Sequence, residues 1–294
     1  MRQNGPVTSR DGTTADDAWA DRARATARRY LAAWELAPDG DEEVDVEAGD
    51  GALVRPVTTP AGEAAALRVS RPRPGTEHEH LALRLWAGRG AVRLLRAEPA
   101  DRVLLLERTR AEDLHSVPVL EACRVLGELV GALARPPRPP FPPLSGLARG
   151  WLAELEGAAE LDARFPRRFR LQAVAALRRL LRDDLDAALL PADLHYGAVH
   201  AADRAPWLAV QAEPVLAVPE FALVPALRHR TAEAGRGGAL AAALEDRLEA
   251  LALAADADAD RLRAWALVRF ALAAHRGPDA SGLVQLCKAV QRGA

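Results

Sequence analysis

The chain has 294 residues, 49% of them hydrophobic, with 39 basic side chains against 41 acidic ones. That length gives one large unit or two coupled ones around a sizeable core, and the near-zero charge balance lacks the basic excess with which a general nucleic-acid binder displaces counterions from phosphates. Only two cysteines occur, Cys123 and Cys287, so neither a disulfide framework nor a thiolate metal cluster is expected, and a cytoplasmic location suits the chain.

Met1 to Asp17 is polar and has no signal-peptide-like apolar run, and no later stretch reaches the roughly 18 apolar residues of a membrane span. The composition is biased: 64 alanines, no isoleucine, one lysine (Lys288) and one asparagine (Asn4). In chain order, Asp16–Leu36 reads as an amphipathic helix, with Trp19, Ala23, Tyr30 and Trp34 near helical spacing and Pro38-Asp39-Gly40 to end it. After the acidic stretch Asp39 to Asp50 come two alternating runs, Ala52–Thr58 and Ala64–Ser70, separated by Thr59-Pro60-Ala61-Gly62. They predict two antiparallel strands, with Arg68 on the second. Glu77–Trp86 reads as a helix and, past the Gly88-Arg89-Gly90 turn, Ala91–Arg96 and Val103–Arg108 as two further strands.

From there helical periodicity takes over, at Val117–Ala134, Gly146–Glu156, Arg168–Asp186, Leu240–Ala255, Arg261–Ala274 and Ser281–Arg292. Pro136–Pro143, six prolines in eight residues, reads as a stiff connector. The basic run from Arg164 to Arg182, flanked by Asp162, Asp183, Asp184 and Asp186, reads as a salt-bridged helix face. A strand-rich first third followed by a helix-rich remainder predicts an α+β protein of two lobes, residues 1–108 and 109–294, with the cleft between them as the default site.

The segment Leu189-Leu190-Pro191-Ala192-Asp193-Leu194-His195-Tyr196-Gly197-Ala198-Val199-His200 resembles the loop Leu-Leu-His-Gly-Asp-Leu-His-x-Gly-Asn-Val-Leu of the aminoglycoside and hydroxyurea phosphotransferases, the streptomycin 6-kinase group of the kinase-like fold. Further on, Pro206-Trp207-Leu208-Ala209-Val210-Gln211 lines up without a gap on that group's Pro-Trp-Leu-Ala-Ile-Asp. Glu79 to Leu95 is similar to its helix and following strand, and Leu104-Leu105-Leu106-Glu107-Arg108 to its inter-lobe hinge. The resemblance runs from about Tyr30 to Trp265 and implies a bilobal protein-kinase-like α+β fold, with a small strand-rich N-terminal lobe and a helix-rich C-terminal lobe. Trp207 and Trp265 match family positions and read as core.

Phosphoryl transfer in such folds uses a strand lysine on the nucleotide phosphates, a helix glutamate holding that lysine, a base aspartate, and an asparagine and an aspartate on magnesium. Carried over residue by residue, the resemblance implies Asp193 as the base and Glu79 as the glutamate. The lysine position is Arg68, the asparagine position Ala198 and the metal-aspartate position Gln211. The His-Gly before the base is Pro191-Ala192, and two acidic positions of the group's Gly-Asp-Pro-Ala-Tyr-Asp stretch are Val218 and Ala222. Neither the sole lysine, Lys288, nor the sole asparagine, Asn4, reaches these positions by any shift of register. Gly49-Asp50-Gly51 occupies the place of the phosphate-covering glycine loop, but two glycines in an acidic stretch read more readily as a plain turn.

Magnesium takes hard oxygen ligands, commonly carboxylates together with substrate phosphates. Gln211 offers a neutral carbonyl and Ala198 nothing, so no metal and no cofactor is expected; ATP and magnesium enter only if the protein is an active O-phosphotransferase. The expectation is a degenerate member of the family, a pseudokinase or a repurposed small-molecule enzyme of secondary metabolism. Asp193 is its catalytic candidate, acting as general acid or base without ATP, and Arg68, Glu79, Gln211 and His195 are its ligand-binding candidates. Each has a plainer alternative: Arg68 in a salt bridge with Glu79, Asp193 bonding its own loop, His195 as a structural loop residue. Glu213 reads as a solvated carboxylate or a relocated metal ligand. The expected partner is a small hydroxylated metabolite or antibiotic-like ligand in the inter-lobe cleft, with a partner protein also open and neither nucleic acid nor membrane. Two other functions compete, an active ATP-dependent antibiotic kinase and a non-catalytic complex subunit.

Overall fold

The computed structural model describes residues 10–40, 46, 47, 51–73, 75–278 and 280–291; Gly49 and Asp50 lie outside them. Helix α1 (Arg10–Ala33) carries Trp19, Ala20, Ala23, Ala27 and Tyr30 at helical spacing, all buried. Strands β1 (Ala37–Pro38), β2 (Val46–Glu47), β3 (Ala52–Thr58), β4 (Ala64–Ser70), β5 (Leu94–Glu98) and β6 (Val103–Glu107) form one antiparallel sheet in the order β1-β3-β4-β6-β5, with β2 also paired to β3.

The sheet follows from period two. On β3, Leu53, Arg55 and Val57 are buried and their neighbours half-buried. Leu53 and Val57 join Leu67 and Val69 of β4 and Trp19, Tyr30 and Trp34 from the α1 region in one apolar cluster. Burying a side chain such as fully enclosed Leu67 contributes about 1.5–3 kcal/mol. Arg68, between Leu67 and Val69, points to the opposite face by the same alternation, and lies across from Val54 on β3 and Leu104 on β6.

The chain separates into two compact units, Met1–His80 with Arg93–Arg108, and Leu81–Val92 with Thr109–Ala294. Residues 81–92, inside the first of the two segments drawn from the sequence, therefore pack with the second unit. Trp86, at the end of helix α2 (Glu79–Trp86), is fully buried and donates its indole N–H to the Leu133 carbonyl at 2.7 Å. The strand expected from Ala91 starts only at Leu94. Val92 instead donates to Ala209 at 3.0 Å, and Ala209 to Gly90 at 2.9 Å, so tertiary hydrogen bonds claim the first residues of the run.

Among the described residues, seven further α-helices build the second unit: α3 (Val119–Leu133), α4 (Leu144–Gly157), α5 (Arg167–Leu180), α6 (Pro219–Arg228), α7 (Gly238–Ala255), α8 (Ala259–Arg276) and α9 (Ala280–Val290). Two short antiparallel pairs accompany them, β7 (Ala188–Pro191) with β10 (Pro214–Ala217), and β8 (Val199–Ala201) with β9 (Trp207–Ala209). Helices α3 and α7 meet at Gly127, where a Cβ would stand 2.6 Å from that of Ala254. Helix α5 stops at Leu180, short of the expected Asp186. The basic run pairs more widely than its own helix: Arg170 grips Asp162 through two hydrogen bonds, Arg178 reaches Glu156, and Arg164 donates to the carbonyls of His275 and Gly277. Trp265 is core, as read; Trp207 is only half-buried on the β8–β9 hairpin. Both cysteines are buried free thiols. Among the described residues no helix is long and apolar enough to cross a membrane.

Candidate functional site

The Asp193 loop is fixed on both flanks by backbone pairing. Strand β7 bonds β10 from Ala188 to Pro191, opposite Ala217 to Pro214. One step further the Ala192 amide donates to the Glu213 carbonyl at 2.7 Å, and on the other side Leu189 and Arg135 exchange backbone bonds of 2.8 and 3.3 Å. Asp193 is thus delivered at the end of a ladder. After it, Ala198 closes a tight turn by donating to the His195 carbonyl at 3.0 Å, and accepts from Val210 at 2.9 Å, beside Gln211. The Ala198 methyl is fully buried.

The Asp193 carboxylate is 41% exposed and faces one fixed cation: the guanidinium of Arg269, from α8, lies 3.7 Å from its Oδ1. Arg269 is anchored by donating to the Ala192 carbonyl at 2.8 Å and by lying over the Phe221 ring, 4.9 Å from its centroid. Burial pushes the Arg269 pKa down; Asp193 and Glu213 pull it back up, and the positive charge of Arg228 adds to the depression. This arginine was not singled out in the sequence, although one signal is there: it is the only charged residue between Ala264 and Ala274 in an otherwise apolar helix.

His195 points inward. It is 7% exposed and stacks face to face on His229, ring centroids 4.5 Å apart and planes within 4°, and its Nδ1 has no hydrogen-bond partner. Burial, then the neighbouring imidazole of His195, push the His229 pKa down to about 4, so near neutral pH the His229 ring is uncharged. Tyr196 is also buried: its hydroxyl donates to the Ala226 carbonyl at 3.1 Å, lies 3.3 Å from the Cys123 sulfur, and burial raises its pKa. His200 sits between the carbonyls of Arg110 and Gly197, 3.2 Å from each. His200 is thereby tied into the loop's framework by both ring nitrogens, whereas His195 is held by its stack on His229. Glu213 is half-buried, and its backbone carbonyl joins the Asp193 loop by accepting from Ala192.

Arg68 and Glu79 belong to the other unit, where they form a salt bridge with side chains 6% and 4% exposed. The plainer reading of Arg68 therefore holds geometrically: its charge is neutralised by the carboxylate the sequence placed beside it. Of the five candidates, the structure joins Arg68 with Glu79, sets Asp193 and His195 on one loop, and leaves Gln211 just past β9 at the loop's return.

An antiparallel sheet carrying a buried arginine–glutamate pair, and a helical unit whose aspartate loop leaves one strand and returns through a hairpin, define a protein-kinase-like α+β fold. The structure of an aminoglycoside phosphotransferase from Alicyclobacillus acidocaldarius has this fold, with a TM-score of 0.52 at 12% identity over 99% of this chain and 96% of that one. Residues 34–280 match the family model described as aminoglycoside/hydroxyurea antibiotic resistance kinase, and the chain belongs to that family. It is 33% identical to streptomycin 6-kinase of Streptomyces griseus over 266 residues, 89% of this chain and 85% of that protein. It is 36% identical to hydroxyurea phosphotransferase of Kitasatospora aureofaciens over 229 residues, 75% of this chain and 64% of that protein.

Proposed function

We propose that this member of the family binds a small hydroxylated molecule through the Asp193 loop without transferring a phosphoryl group from ATP. The observation that carries the reading is the donor set around that loop. Magnesium wants oxygen ligands, usually anionic; Ala198 has a buried methyl, Gln211 a neutral amide, and the carboxylate that remains, Asp193, already faces the Arg269 guanidinium. Arg68 is occupied by Glu79, and its planar fork does not stand in for a lysine ammonium. These residues do not fit a magnesium–nucleotide complex.

What the loop can offer is recognition and proton exchange. Asp193, half in solvent, accepts hydrogen bonds from a hydroxylated ligand and can exchange a proton with it. Arg269, 3.7 Å from its Oδ1, sets a positive charge beside it. The buried free thiols of Cys123 and Cys287 suit a reducing cytoplasm. A second reading, ATP-dependent O-phosphotransfer, is supported by the 33–36% identity to proteins named as a kinase and a phosphotransferase. Thermal unfolding with and without magnesium and ATP separates the two, since a ligand at a hundred times its dissociation constant adds about 2.7 kcal/mol of stability. We expect no shift and no ADP release. A metal-dependent rise in Tm, with turnover abolished by Asp193→Ala, would establish the second reading instead.

A further inference from the structure

The second unit contains a cleft of about 690 Å3 that the Asp193 loop does not line. Its walls come from the end of α6, the loop after it, the first turn of α7, the end of α8 and the start of α9. Its floor includes Leu240 and Leu283, and its polar groups include Thr231, Gln285, Arg228 and Arg236. From these residues we propose that the cleft is a binding site for a small amphiphilic anion, an apolar body carrying a phosphate or carboxylate.

The argument is electrostatic. Several arginines of this chain pair with carboxylates: Arg110 with Asp203, Arg170 with Asp162, Arg230 with Glu233, Arg263 with Glu245, Arg276 with Glu154. Arg228 and Arg236 differ. Both are exposed, both line the cleft, and among the described residues neither has an ion-pair partner and no carboxylate lines the walls; Asp279 lies outside the described residues. Two guanidiniums lining one concavity repel each other, and an oxyanion between them removes that repulsion while accepting charge-assisted hydrogen bonds. A second contribution comes from the backbone. Helix α7, 18 residues long, opens at the cleft with Gly237 and Gly238 and has no side-chain N-cap, so its partial positive charge and free amides point to the same place. Gly235 and Gly237 hold positive φ of 73° and 60°, the left-handed backbone that lets the loop turn there. The apolar floor selects against a bare inorganic ion, and the arginines against a cation. The site goes beyond the proposal for Asp193 and holds whether or not phosphate is transferred.

The test is calorimetric titration of the full chain with phenyl phosphate, benzoate and benzylamine, which share an aromatic body and differ in charge. Saturable binding of phenyl phosphate or benzoate and none of benzylamine is expected, with the affinity falling as salt is added. Arg228→Ala and Arg236→Ala should each weaken it about tenfold or more, the worth of one charge-assisted hydrogen bond, while Arg228→Lys should retain part of it. Both arginines are exposed, so an unchanged melting curve shows that the variants fold. Asp193→Asn should leave the titration unaltered, which separates this site from the Asp193 proposal. Absence of saturable binding at millimolar concentration, equal binding of benzylamine, or undiminished affinity in the double Arg228→Ala, Arg236→Ala variant overturns the inference.

Discussion

Replacing Glu79 by glutamine keeps the shape of the side chain and removes its charge, leaving Arg68 buried beside a neutral amide. Arg68 is 5% exposed and Glu79 3%, so water cannot take over the lost interaction. Breaking a buried pair from one side costs about 3–5 kcal/mol, because the surviving ion is left uncompensated. At about 2–4 °C per kcal/mol for a chain of this size, the melting temperature should fall by at least about 6 °C. Replacing both residues with apolar side chains of similar volume, Arg68→Met with Glu79→Leu, should recover most of the loss, because the desolvation penalty disappears with the charges. Differential scanning calorimetry is the assay of choice: the two units give it the chance to resolve two transitions, and the one containing the sheet should move. Unchanged transitions in Glu79→Gln would show that the pair contributes little to stability, and a double variant less stable than Glu79→Gln would show that it stabilises the fold outright; either result refutes the reasoning.

The Arg269→Ala change removes the hydrogen bond to the Ala192 carbonyl and the cation facing Asp193; urea denaturation should show a loss of about 1–3 kcal/mol, and an unchanged midpoint would mean that water replaces the guanidinium freely. His229, with its pKa pushed from 6.5 to about 4 by burial, binds its proton more readily when unfolded. Stability linked to it should therefore be complete above pH 6.5, decline as the pH falls, and level off near 4. Allowing for its partial exposure, the decline should be about 2 kcal/mol. His229→Gln should flatten this part of the pH profile, and an unaltered slope would place the linkage on another group.

Local pattern carried much of the fold. Strands β3 and β4 run over Ala52–Thr58 and Ala64–Ser70 as read, because alternation and the Thr59-Pro60-Ala61-Gly62 turn fix both ends from neighbouring residues alone. The expected helices end within a few residues of their predicted bounds, with α5 six residues short, while α6 (Pro219–Arg228) was not foreseen. What failed was non-local. Ala91 and Val92 look like strand, yet their backbone partners are Gly90's neighbour strand β9, more than a hundred residues away. The residues of the Asp193 loop were legible through their resemblance, and so, in the other unit, was the Arg68–Glu79 pair. Arg269 and His229 were not, since their distance from Asp193 along the chain conveys nothing until α6 and α8 have packed.

The lone lysine ends as a practical asset. Lys288 lies on α9, three residues beyond Gln285 on the cleft wall and so one turn along the same helix. Every other basic side chain apart from the histidines is a guanidinium, inert to the reagents that acylate amines. An amine-directed fluorophore or isotopic methyl group therefore reaches a single side chain, and the composition bias that emptied the chain of lysines has left it with a ready-made spectroscopic address next to the cleft.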